Sequence, residues 1–190
     1  MRRFLIIALL FCVSGANIFA LDNELSKQAT AFYSDNNYNK ALDLILQINE
    51  KERTAQDWLL LGNVLEDKGE TENATFMYQK ALVANPKYYK AYYNLANNYF
   101  KNGQYNLALQ YYKKASSLSK ENPYIFYNIA CTYIQLGEIK KAKTNLNKAI
   151  MFNANIPEFH YNLAYVYKNL DKEKLAQTYL DNYNKLMETK

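Results

Sequence analysis

Apolar residues along this chain fall three and four apart in paired runs, for instance Tyr92, Leu95, Ala96 and Tyr99, followed by Ala108, Tyr112 and Ala115. That spacing places each run on one face of an α-helix. The pairs themselves recur. Leu61-Gly62, Leu95-Ala96, Ile129-Ala130 and Leu163-Ala164 lie 34 residues apart, as do Ala74, Ala108, Ala142 and Ala176. A fixed period of this length predicts an array of like supersecondary units in place of one globular core. The blocks run 55–88, 89–122, 123–156 and 157–190. A degenerate block, one residue shorter, precedes them at 22–54, with Ala29, Phe32, Ala41 and Ile45 in the places of Ala96, Tyr99, Ala108 and Tyr112.

Between the two apolar runs of each block stands a residue suited to a left-handed turn: Asn36, Gly69, Gly103, Gly137 or Asp171. Such a residue ends one helix and reverses the chain into an antiparallel partner. The three prolines, Pro86, Pro123 and Pro157, all fall at block boundaries, where proline closes one hairpin and opens the next. Ala or Gly at 62, 96, 130 and 164, and Ala at 74, 108, 142 and 176, let the two helices of a hairpin approach closely.

These residues resemble the tetratricopeptide repeat family. The third block contains AYYNLANNYFKNGQYNLALQYYKKA, and the second keeps Trp58, Leu61, Gly62, Tyr78, Ala81 and Pro86. Leu65 and Tyr183 depart from the family pattern, standing where an aromatic and a small residue are usual. The resemblance implies an all-α, right-handed α-solenoid of about five antiparallel helix hairpins that binds other proteins without catalysis. Members that clamp acidic chaperone tails need Lys and Arg on successive first helices. The corresponding places here hold Leu59, Lys90, Asn94, Tyr124 and Asn128.

The first twenty residues read as an export signal: Arg2 and Arg3, the apolar run Phe4 to Val13, then small residues at Ser14, Gly15, Ala16 and Ala20. Ten apolar residues are few for a membrane span. Cleavage after Ala20 or Ala16, or retention as an anchor, are the readings it leaves open. Cys12 follows Phe11, a poor context for lipidation. Removing Arg2 and Arg3 leaves 21 basic against 18 acidic residues, with Arg53 the last arginine. That balance is too mild for a nucleic-acid surface and leaves little bidentate gripping of phosphates. Abundant Lys, Asn and Tyr with scarce Arg point to an AT-rich bacterial genome, hence a periplasmic address facing other envelope proteins, the alternatives being a membrane-anchored protein facing the periplasm or a secreted one.

Candidate chemistry is sparse. Cys131 and His160 are the soft nucleophile and base of the mature chain, and His160 stands where Trp58 and Tyr92 stand in other blocks, as a packing residue. No cluster of ligands with metal spacing and no glycine-rich phosphate loop occurs, so neither a metal nor a cofactor is expected.

Helical pitch turns one row of each first helix toward a groove. It carries Tyr93, Tyr127 and Tyr161 beside Asn94, Asn128 and Asn162, with Asn63, Asn97 and Tyr165 on the same surface. Asparagine offers donor and acceptor, and tyrosine apolar area with a polar tip, so this row suits a peptide segment or helix of a partner. Upkeep of the fold is the competing role for the same residues. A second candidate surface is the stripe Leu175, Tyr179, Tyr183 and Leu186 on the last helix, expected to lie uncovered and to serve as a docking or self-association edge.

Overall fold

The computed structural model describes residues 20–188, and every helix hairpin in it turns on a residue with positive φ. The turn residues are Asn36 (58°), Gly69 (82°), Gly103 (73°), Gly137 (73°) and Asp171 (55°). The chain forms two units, one extending to Tyr88 and one beginning at Tyr89. Residues 1–19, and with them most of the proposed export signal, lie outside the described part. Among the described residues no helix is long and apolar enough to cross a membrane.

The first unit holds α1 (20–34), α2 (Tyr38–Gln47), α3 (Ala55–Asp67) and α4 (Thr71–Ala84). Helix α3 opens on a capping box: the Asp57 backbone N–H donates to Thr54 Oγ1 at 3.3 Å, and the Thr54 backbone N–H donates to Asp57 Oδ2 at 2.8 Å. Ser26 of α1 donates to the other carboxylate oxygen, so the buried Asp57 ties two helices while its own acceptors are used. Gly62 serves a packing purpose here. A Cβ at that position would sit 2.4 Å from Cε1 of the fully buried Tyr78 ring.

The second unit holds α5 (Tyr89–Lys101), α6 (Tyr105–Leu118), α7 (Pro123–Gln135), α8 (Ile139–Phe152), α9 (Pro157–Lys168) and α10 (Glu173–Glu188). Pro123 and Pro157 occupy the first turns of α7 and α9, where a missing N–H costs nothing. Asn122 caps α7 by accepting from the Tyr124 N–H at 3.0 Å. The second helices α6 and α8 begin without a side-chain cap, because the tight turn before each leads straight into it. Each first helix pairs with its own second helix, and α6 and α8 pack in turn on α7 and α9. The core they share is built of Ala96, Ala108, Tyr112, Ala115, Ile129, Ala130, Ala142 and Leu146, with aromatic rings around it. All described elements are helical, so the fold class is the all-α array of hairpins expected from the 34-residue period.

Candidate functional site

The first helices of the second unit, α5, α7 and α9, carry the tyrosine and asparagine rows at like positions, and the rows are fastened to each other. Asn128 Nδ2 donates to Tyr93 Oη at 2.9 Å and to Asn97 Oδ1 at 3.2 Å. One repeat on, Asn162 Nδ2 donates to Tyr127 Oη at 2.9 Å and to Cys131 Sγ at 3.4 Å. Tyr112 of α6 donates to Asn97 Oδ1 at 2.6 Å, so that oxygen receives two bonds. The amide groups of Asn128 and Asn162 therefore donate between neighbouring first helices. A side-chain amide also carries a carbonyl oxygen, so Asn128 and Asn162 add acceptor chemistry to the same surface.

Two adjoining clefts lie along this ladder. One of about 460 Å³ is lined by Asn97, Phe100, Lys101, Tyr112, Tyr127, Asn128, Cys131 and Gln135. The other, of about 260 Å³, is lined by Cys131, Ile134, Gln135, Tyr161, Asn162 and Tyr165. Cys131 and Gln135 border both, and Lys101 is the one charged lining residue. Tyr161 (54% exposed) and Tyr165 (48%) present large apolar faces to solvent. Burial raises the pKa of Tyr93, Tyr112 and Tyr127, and it raises that of the Cys131 thiol. At neutral pH these clefts thus offer amide carbonyls, neutral hydroxyls and rings. They suit a segment that supplies N–H donors and apolar side chains, and they offer little to a strongly acidic one.

The structure brings Tyr93, Asn97, Tyr127, Asn128, Tyr161, Asn162 and Tyr165 together on this surface. Asn94 is half-buried on α5 and lines neither cleft. Asn63 belongs to the other unit, where its Oδ1 accepts from Tyr78 Oη at 2.9 Å inside its own hairpin.

The expected docking edge is partly covered within its own hairpin, and none of its four residues is fully buried. Tyr179 does not stand uncovered: its ring stacks on Tyr167 at 5.4 Å and lies beside His160 at 5.9 Å. Tyr183 packs against Tyr161 at 5.3 Å, Leu186 is half-buried, and Leu175 alone of the four is exposed, at 41%. The stripe curls back onto α9 because bulky rings at 179 and 183 fill the seam of their own hairpin. The open side of α10 is carried by Ala176 and Leu180, whose signal in the sequence was their register with Ala142 and Leu146.

His160, 6% exposed, holds the Ala154 carbonyl through Nε2 at 2.8 Å. Since a carbonyl only accepts, Nε2 carries the proton and Nδ1 faces the core without a partner. Cys131 is held from the thiolate form by its burial, the reverse of what an activated nucleophile requires. Both residues work in packing. Among the described residues no group of His, Cys, Asp or Glu is placed to hold a metal ion.

Comparison with known proteins agrees with this architecture. A family model described as anaphase-promoting complex, cyclosome, subunit 3 matches residues 67–149. A TPR repeat model matches residues 131–171, and a tetratricopeptide repeat model matches residues 157–186. No curated protein matches the chain. Among solved structures, MamA from Desulfovibrio magneticus RS-1 (residues 41 to its end) is similar at 17% identity, covering 90% of this chain and 97% of that one, with a TM-score of 0.78. MamA MSR-1 is similar at 18% identity over 88% of this chain and 97% of its own, with a TM-score of 0.72. A further MamA crystal structure is 18% identical over 85% and 95%, with a TM-score of 0.76. At these identities the likeness is one of fold.

Proposed function

We propose that this chain, an array bearing tetratricopeptide repeats, is a non-catalytic interaction scaffold of the bacterial cell envelope that binds a segment of a partner protein along α5, α7 and α9. The observation that carries the reading is the pair of adjoining clefts sharing Cys131 and Gln135, rich in rings and amides and bordered by a single charge. The amide carbonyls of Asn128 and Asn162, which line the clefts, would take backbone N–H groups of a bound segment. The exposed faces of Tyr161 and Tyr165 would take its apolar side chains. The basic pair, apolar run and small residues before Leu21 support export to the periplasm, with cleavage at Ala20 or Ala16 or retention as an anchor.

The test is a photo-cross-linking amino acid at Gln135, between the two clefts, in cells of the native host, with the mature amino terminus read from the same sample. A discrete adduct with one envelope protein, absent when the same group is placed at the exposed Met151 of α8, is expected. Identical adducts from both positions, or an intact Met1 on a protein in the cytosol, would overturn the reading.

A further inference from the structure

The second unit repeats one groove three times. In the first, between α5 and α6, Ala96, Ala108 and Tyr112 are buried, with α7 packed alongside. In the second, between α7 and α8, Ala130, Ala142 and Leu146 are buried beside α9 in the same way. In the third, between α9 and α10, the corresponding Ala176 and Leu180 are only half-buried. There, with Tyr161, Ala164, Tyr165 and Gln177 among their neighbours, they line an open cleft of about 330 Å³.

The helices that fill the first two grooves share a pattern. Each has a large apolar residue (Ile125 or Phe159), an asparagine three on (Asn128 or Asn162), an aliphatic next (Ile129 or Leu163), and a β-branched residue three further (Thr132 or Val166). The apolar and β-branched members are buried. The asparagine donates to the tyrosine of the groove, Tyr93 or Tyr127. Tyr161 is the third tyrosine of that series.

We propose that the cleft between α9 and α10 docks an amphipathic helix of a partner protein with this pattern, its asparagine donating to Tyr161 Oη. The site continues an interface the molecule already builds twice. Its rim differs in one respect: Lys168 and Glu173 stand where the preceding groove has Ile134 and Ile139. Charges at the rim suit an occupant that arrives from water and leaves again. A second copy of the chain is a poor occupant. Its patterned helices α7 and α9 are already packed in its own core, and its α1 has Glu24, Lys27, Gln28 and Ala31 where α9 has Phe159, Asn162, Leu163 and Val166. Tyr161 and Tyr165 border both this cleft and the neighbouring α7–α9 one, but Leu180 and Gln177 line this one and not the other, so variants there separate the two sites.

The experiment is fluorescence anisotropy of the mature protein with a labelled, hydrocarbon-stapled peptide bearing residues 157–168 of this chain. Saturable binding is expected, lost in Leu180→Lys and in Gln177→Trp, which blocks the cleft from an exposed position and spares the core. Changing the peptide's asparagine to alanine weakens binding about fivefold, Tyr161→Phe does the same, and the two together do no more. Binding that survives both cleft variants, or no saturable binding, overturns the proposal. A concentration-dependent dimer in light scattering that Leu180→Lys abolishes also overturns it, by giving the cleft to a second copy.

Discussion

The side-chain amide of Asn162 donates to the hydroxyl of Tyr127 at 2.9 Å, bridging two first helices across 35 residues of sequence. Asn128 and Tyr93 repeat the relationship one hairpin earlier at the same distance. A row that reads as ligand-facing is thus also a fastening between repeats. Asn162→Ala should lower stability by about 1 kcal/mol, the usual net worth of a part-buried amide bond. For a unit of this size that is a fall of about 5 °C in Tm. Tyr127→Phe should cost a similar amount, and the double variant should cost clearly less than the sum of the two. Thermal melts of the four proteins measure it, and full additivity would show that the bond contributes nothing.

Gly62 is the second case where a repeat position has a private reason. Ala occupies the same place in the four other blocks, yet at Gly62 a Cβ would press into the Tyr78 ring at 2.4 Å. The ring is fully buried and its hydroxyl is held by Asn63 at 2.9 Å and Glu66 at 2.7 Å, so it has nowhere to retreat. Overpacking of this kind costs about 1–3 kcal/mol, against about 1 kcal/mol gained in helix propensity. Gly62→Ala should therefore lower the urea midpoint. Tyr78→Leu, which copies Leu146, should remove most of the penalty of the alanine when the two are combined.

Alkaline pH should unfold the protein more readily than mild acid. Burial raises the pKa of Cys131 above its ordinary 9.0 and those of Tyr93, Tyr112 and Tyr127 above 10.0. A raised folded-state pKa means that the native chain keeps protons the unfolded chain releases. The stability is full below about pH 9 and falls as pH climbs above it. A buried group such as Tyr112 contributes up to about 1.4 kcal/mol per pH unit in that window, and the half-buried Tyr93 and Tyr127 contribute less because solvent screens them. The more exposed Tyr111 and Tyr179, shifted in the same direction, contribute less because solvent screens them. Urea midpoints between pH 7 and 11 should decline on the alkaline side, and a flat profile to pH 11 would rule this out.

His160→Phe should leave stability within about 1 kcal/mol of the parent. The variant loses the Ala154 carbonyl contact but removes a core-facing nitrogen without a partner. Phe126 already fills this register one repeat earlier. Unchanged partner capture alongside an unchanged melt is the expected result. Loss of function with an intact fold would assign the imidazole a chemical role.

Much of this molecule is local and therefore readable along the chain. The 34-residue period, the helices on either side of Gly103 or Gly137, and the left-handed turns at Asn36 and Asp171 follow from side-chain spacing and backbone preference within a few residues. The rows at Tyr93, Tyr127 and Tyr161 and at Asn128 and Asn162 were legible too, as positions on a helix face. What those side chains touch was not. Only tertiary structure decided that the asparagine amides bond across repeats, and that Tyr179 and Tyr183 fold onto α9. It also decided that Ala176 and Leu180 are left at an open cleft. Each depends on where a helix some thirty residues distant comes to rest, and one-dimensional periodicity gives the face a residue is on without giving the neighbour that covers it.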